Sequence, residues 1–189
     1  AWTRGVDTAT FSPGARDALV NRRPIFLYVG RVAVEKNIEA FLKIDLPGTK
    51  WVVGEGPMRA KLERRYPHVH FAGIKTPAEL ARYYRAADVF VFPSLTDTFG
   101  LVMLEALACG TPVAAFPVLG PIDVIGDSGA GVLHEDLGIA CVQALDIPRE
   151  KARGYAEQFS WQASIDQFVR HLTPVAARSA AWLLISTPS

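Results

Sequence analysis

Four charged side chains stand where an α/β fold could gather them: Arg31, Lys36, Asp97 and Glu105. Arg31 and Lys36 bracket the loop that leaves an apolar run, Ile25–Val29, through Gly30 and opens into a helix pattern carrying Ile38, Phe41 and Leu42. Cations flanking such a loop can neutralise phosphate, Arg with a fork of donors and Lys as a point charge. Asp97 begins Asp97-Thr98-Phe99-Gly100 at the entrance of a second helix pattern, Leu101–Cys109. A helix N-terminus exposes N–H groups and a positive dipole end, which suits an anion. Gly100 has no Cβ to keep a ligand off the backbone. Glu105 falls one turn further in, among Leu, Val, Met and Ala, where a carboxylate needs a partner. Taken singly, Asp97 reads as a helix cap and Glu105 as a side chain paired with a neighbouring Arg or with solvent. Taken together around a glycine at a helix entrance, they read as a site.

The elements that must position these residues follow from the apolar pattern. Val89–Pro93 and Pro112–Phe116 read as buried strands on either side of the Leu101–Cys109 helix, whose buried side is expected to carry Leu101, Leu104, Leu107 and Ala108. Gly110-Thr111-Pro112 ends that helix. Upstream, Lys50–Gly54 and Val69–Ala72 read as strands, and Met58–Tyr66 and Pro77–Ala87 as helices. Downstream come a short helix at Gly120–Ile125, a strand at Gly131–Leu133, and helices at Leu137–Leu145, Arg149–Gln158 and Ser160–Leu172. Strands alternating with helices predict a doubly wound parallel α/β sheet of the Rossmann-like kind, with ligands at the carboxyl ends of its strands. The loops at Gly30–Lys36 and Asp97–Glu105 both follow strands, so they belong on one edge.

Composition narrows the function classes. A chain of 189 residues with half its residues hydrophobic fits one sizeable domain with a substantial core. A formal net charge of +1 offers no electrostatic case for nucleic acid as a partner. Cys109 and Cys141 lack zinc-type spacing and are expected as reduced thiols in a cytoplasmic protein. His68, His70, His134 and His171 form no metal-like cluster, and no metal site is expected. No apolar run reaches bilayer length, and the first residues have neither the core nor the cleavage pattern of a signal peptide. Gly54-x-Gly56 is not a dinucleotide fingerprint, because Arg59 stands where a third Gly would be, so these glycines read as a tight turn.

The landmarks also come in a recognisable order. Gly5-Val6-Asp7 with Phe11-Ser12-Pro13, Tyr28-Val29-Gly30-Arg31 with Glu35-Lys36-Asn37, Gly54-Glu55-Gly56-Pro57, Phe71-Ala72-Gly73, Ala87–Ser94 and Phe159-Ser160-Trp161 span roughly Gly5 to Leu172. The set resembles the C-terminal, donor-binding half of a GT-B glycosyltransferase of the retaining family 4. Asp97 and Glu105, with seven residues between them, resemble that family's paired-acid motif.

The resemblance implies transfer of a sugar from a UDP- or GDP-sugar to an acceptor hydroxyl with retention of configuration. It implies that Arg31, Lys36 and Asp97 act at the reacting centre, the cations on the diphosphate and Asp97 on sugar hydroxyls. It places phosphate oxygens on the backbone of Phe99, Gly100, Leu101 and Val102, the ribose hydroxyls on Glu105 and the base near Ile74, with Gly30 also among the donor-binding residues. Apart from the donor, no cofactor is implied. Residues 1–173 would form the donor-binding domain and 174–189 a tail. An N-terminal acceptor lobe, absent from this chain, would be the partner, with a lipid or glycan acceptor and a homodimer through the last helix as further partners. The complete enzyme would be cytoplasmic, at the inner face of the membrane.

Two departures bear on this. Asp97 stands where the family usually has Glu, one methylene longer, and without the acceptor lobe the chain would transfer little by itself. A non-catalytic nucleotide-sugar-binding module is the competing reading. A nucleotide-sugar epimerase of the same fold is disfavoured by the paired acids, and a Rossmann dehydrogenase by the missing glycine fingerprint.

Overall fold

A computed structural model describes residues 5–97 and 100–159 of the chain. Six strands form one sheet: β1 Ile25–Val29, β2 Thr49–Val53, β3 His70–Phe71, β4 Val89–Phe92, β5 Val113–Ala115 and β6 Gly131–Leu133. Their spatial order is β3-β2-β1-β4-β5-β6, and every neighbouring pair is parallel. The chain therefore winds outward from β1 in one direction, returns, and winds outward from β4 in the other. The switch point lies between β1 and β4, where the two following loops diverge and leave a crevice.

The central strands β1, β4 and β5 are unbroken, fully buried apolar runs because both faces of the sheet are covered there. Along β1, Ile25, Leu27 and Val29 enter one core while Phe26 and Tyr28 enter the other. Along β4, Phe90 and Phe92 alternate with Val89 and Val91 in the same way. The first core is closed by α3 (Pro77–Ala86), α4 (Leu101–Ala108) and α7 (Arg149–Ala156), supplying Tyr84, Met103, Leu104, Leu107 and Ala152. The second is closed by α1 (Ile38–Lys43), α2 (Arg59–Arg65) and α6 (Leu137–Ala144), through Phe41, Leu42, Leu62 and Ala140. A shorter helix, α5 (Leu119–Val124), adds Val124 to the first core.

Local chemistry fixes the helix ends. Thr76 and Glu79 form a reciprocal capping box at the start of α3, with Pro77 as its first residue. Asp136 caps α6 by accepting from the N–H groups of Gly138 (2.8 Å) and Ile139 (3.2 Å). At the other end of a helix, the buried ammonium of Lys50 donates to the carbonyls of Leu42 (2.8 Å) and Ile44, meeting the C-terminus of α1. Burial lowers the pKa of Lys50, an effect that the nearby Cys141 and Asp45 oppose.

Several expected boundaries shift by a residue or two, as fraying ends do. The helix expected over Arg149–Gln158 is α7 followed by a 3-10 turn, Glu157–Phe159. Gly54-x-Gly56 proves more demanding than a tight turn. Gly54 has φ +132°, and a Cβ on it would enter the carbonyl of Gly30. A Cβ on Gly56 would likewise enter the carbonyl of Val32. These glycines let the loop after β2 lie directly on the loop after β1, joined by hydrogen bonds from Gly30 to Val53 (3.0 Å) and from Val32 to Glu55 (2.8 Å). The helix expected at Ser160–Leu172, His171 and the boundary between residues 173 and 174 lie outside the described residues. Among the described residues, no helix is long and apolar enough to cross a membrane.

Candidate functional site

The crevice at the switch point is a cleft of about 220 Å³ at the carboxyl ends of β1 and β4. Tyr28, Gly30, Arg31 and Lys36 come from the β1 side, and Ser94, Asp97, Gly100, Leu101 and Val102 from the β4 side. Lys36 ends a 3-10 turn, Val34–Lys36, and the chain then passes through Asn37 in the left-handed region at φ 51°. Asn37 is fixed there by donating its side-chain amide to the carbonyl of Pro93 at 3.0 Å. That bond ties the loop after β1 to the end of β4 and sets Lys36 opposite Asp97. The Lys36 ammonium and the Asp97 carboxylate form an ion pair across the cleft.

Asp97 thus does not cap α4, as it would if read alone. The N-cap position belongs to Gly100, which has no side chain to cap the helix. Gly100 lies in a close-packed spot: a Cβ there would lie 2.8 Å from Met103 Cε and 3.1 Å from Phe92, so the flexible end of Met103 would have to shift. The first-turn N–H groups of any α-helix have no acceptor within it; in α4 two of them belong to Leu101 and Val102, which line the cleft, while that of Met103 bonds to the carbonyl of Gly100 at 2.9 Å.

Leu101 does not face the core, contrary to the helical-spacing expectation; it is exposed, at 37%. The buried arc of α4 is Met103, Leu104, Ala106, Leu107 and Ala108. Leu101, Val102 and Glu105 lie on the remaining, less covered side, because the first turn borders the cleft instead of another layer.

Glu105 takes a partner that spacing did not suggest. The hydroxyl of Tyr84, wholly buried on α3, donates to its Oε2 at 3.1 Å. Burial raises the Glu105 pKa, while this hydrogen bond works in the opposite direction. Tyr84 itself is pushed well above the ordinary tyrosine range, first by burial and then by the neighbouring Glu105, so it remains a donor.

Of the residues singled out from sequence, Gly30, Arg31, Lys36, Asp97, Gly100, Leu101 and Val102 meet in this one cleft. The guanidinium of Arg31 is turned to Glu35 at 3.1 Å, on the open side of the loop. Ile74 is not in the cleft; it is 75% exposed beyond the end of β3, on the loop after Gly73. Glu105 is not among the residues that line this cleft, and Phe99 lies outside the described residues.

Spacing alone did not single out Asn37, Tyr84 or Ser94. Ser94 is 2% exposed, lines the cleft, and its Oγ has no hydrogen-bond partner among the described residues. Its sequence signals are its position, two residues after a buried strand, and its place at the end of the Ala87–Ser94 landmark. Among the described residues, no group of three or more His, Cys, Asp and Glu side chains could hold a metal ion.

A doubly wound parallel sheet with a glycine-bordered cleft at its switch point defines a Rossmann-like domain. The family is then fixed by comparison: residues 23–146 match the model of glycosyl transferases group 1, and the chain belongs to that family. It is 34% identical over 196 residues to a GDP-mannose-dependent alpha-mannosyltransferase of Mycolicibacterium smegmatis, a match covering 94% of this chain and 52% of that protein. It is 35% identical over 216 residues to a D-inositol 3-phosphate glycosyltransferase from the same organism, covering 93% and 50%. Among solved structures, sucrose-phosphate synthase from Thermosynechococcus elongatus superposes with a TM-score of 0.74 at 29% identity, over 88% of this chain and 50% of the other. Anabaena Alr3699/HepE, solved in complex with UDP, shares the fold with a TM-score of 0.69 at 20% identity, over 88% and 55%. The chain spans about half the length of the curated relatives it matches.

Proposed function

We propose that this chain binds a nucleoside-diphosphate sugar, UDP- or GDP-linked, as the donor-binding part of a retaining, metal-independent hexosyltransferase. The observation that carries the reading is the convergence of Lys36, Arg31, Asp97 and the N-terminus of α4 on one cleft at the switch point. Two cations, a helix terminus and a backbone freed of Cβ atoms at Gly30 and Gly100 suit a diphosphate, and such groups stabilise the charge that develops on it as the glycosidic bond breaks. Family membership and relatives named as GDP-mannose-dependent support a sugar nucleotide over a dinucleotide.

In this reading Lys36 exchanges Asp97 for the diphosphate, and Arg31 turns from Glu35 to join it. Asp97, released, accepts hydrogen bonds from hydroxyls of the sugar. Glu105, held by Tyr84, accepts the ribose hydroxyls as a carboxylate, and the base lies over the backbone near Ile74. The acceptor, and the contacts that complete transfer, come from an acceptor-binding lobe. Residues 1–173 make up the donor-binding domain, followed by a tail at 174–189.

Calorimetric titration with UDP, GDP and ADP, alongside Glu105→Ala, tests donor binding. One nucleotide should bind and lose affinity in the variant; binding untouched by the substitution would refute the ribose role. Transfer by the complete enzyme should survive EDTA, whereas loss restored by magnesium or manganese would overturn metal independence. A chain that binds donor yet supports no transfer when paired with its acceptor lobe would favour the non-catalytic module.

A further inference from the structure

The opposite edge of the sheet carries a second concentration of positive charge. At the amino ends of β1 and β4, a cleft of about 360 Å³ is lined by Arg16, Arg23, Arg149 and Asp88, with an apolar wall of Pro24, Leu145 and Ile147. Three guanidinium groups face a single carboxylate there. Asp88 is already fully engaged, pairing with Arg16 and with Arg23 (2.8 Å) and accepting from the N–H of Ile25 at 2.7 Å.

The three arginines differ in what holds them. Arg149 is spent on the fold, donating to the carbonyls of Ala87 (2.8 Å), Arg85 (3.0 Å) and Cys109 (3.2 Å) and to the hydroxyl of Thr111 (3.1 Å). Its pKa is lowered to about 10, first by burial and next by the nearby Arg16, with Arg23 adding to the effect against the pull of Asp88. The side chains of Arg16 and Arg23 remain 37% and 41% exposed at the mouth. Each guanidinium carries five N–H donors, more than Asp88 and the neighbouring carbonyls take up. Charge excess, spare planar donors and a walled cleft of small-ligand size coincide.

We propose that this cleft is an anion site, separate from the donor cleft, which takes a phosphate group, inorganic or as a small phosphate monoester. The phosphate oxygens face Arg16 and Arg23, Arg149 supplies charge from behind, and the organic part of a monoester lies on Leu145 and Ile147. Because Arg16 and Arg23 tether the segment before β1 to the start of β4, an anion here tightens that junction.

Inorganic phosphate and glycerol 3-phosphate, titrated into the intact protein by calorimetry and by amide chemical shifts, test the site. Saturable binding should shift the amides of Ile25, Ile147 and Arg149. A stronger response to glycerol 3-phosphate would identify a monoester ligand, and an equal one free phosphate. Arg16→Gln with Arg23→Gln should weaken binding by about tenfold or more, and Lys36→Ala should leave the shifts of Ile25, Ile147 and Arg149 in place. Should the double variant fail to fold, the wild-type shifts decide the matter. Phosphate shifts confined to Gly30, Lys36 and Leu101, or the absence of saturable binding, would overturn the proposal.

Discussion

Replacing Asp97 by Asn should tighten the binding of a nucleoside diphosphate while impairing sugar transfer. Lys36 is engaged by Asp97 across the cleft, with the two side chains 28% and 24% exposed, so a diphosphate must compete for the ammonium. At an effective dielectric of about 20, two unit charges about 4 Å apart attract by ~4 kcal/mol. Desolvation and lost side-chain freedom offset most of that, leaving about 1 kcal/mol, the upper end for partly exposed pairs. Asp97→Asn removes the charged competitor and should raise UDP or GDP affinity roughly fivefold. Lys36→Ala removes a charge-assisted hydrogen bond to phosphate and should lower affinity by about 1.5–3 kcal/mol. If the gain comes from releasing Lys36, it should shrink in the Lys36→Ala background, which a calorimetric double-mutant cycle measures. It should also narrow as salt rises. Weaker binding by Asp97→Asn, or an undiminished gain without Lys36, would refute the exchange of partners.

The raised pKa of Glu105 predicts a pH dependence of opposite sign for folding and for nucleotide binding. The protonated form is favoured in the folded state, so this group's contribution to stability is complete below the ordinary glutamate value of 4.5 and is lost as pH rises through the folded pKa. Thermal melts of Glu105→Gln should lack that decline, while nucleotide affinity, which under the proposed ribose contact needs the carboxylate, should rise over the same interval in wild type only. Gly54→Ala combines a strained positive φ, about 1–3 kcal/mol, with a Cβ pressed into the Gly30 carbonyl. Overpacking of that kind costs a similar ~1–3 kcal/mol, and a Tm lowered by less than about 2 °C would contradict it. Ser94→Ala deletes a buried hydroxyl that no described residue satisfies. Its Tm should hold or rise slightly while nucleotide affinity drops a few-fold; a clear loss of stability would show the hydroxyl bonded within the fold.

The sequence by itself determined the order of the elements and the edge on which the chemistry collects. Short unbroken apolar runs closed by glycine, such as Ile25–Val29, read as strands covered on both faces, and helix patterns alternating with them predict parallel crossovers. That places the loops after β1 and β4 together, so Gly30, Arg31, Lys36, Asp97 and Gly100 were legible as one site. What spacing could not supply were contacts between residues far apart in the chain. The pairing of Lys36 with Asp97, the Tyr84 hydroxyl on Glu105 and the Asn37 bond to Pro93 join segments 61, 21 and 56 positions apart.

Periodicity also misplaced Leu101. An apolar residue at helical spacing predicts a buried face, but whether a layer actually covers that face depends on where the sheet ends. The same limit applies to Gly54 and Gly56, which read as a turn until the carbonyls of Gly30 and Val32 are seen to occupy the space of their Cβ atoms. At the far edge, Arg16, Arg23, Asp88 and Arg149 carry no local pattern, and only the winding of the chain brings them around one cleft. Local sequence sets which backbone a segment prefers, while the partner each charge meets is decided by the sheet order, a property of the whole chain.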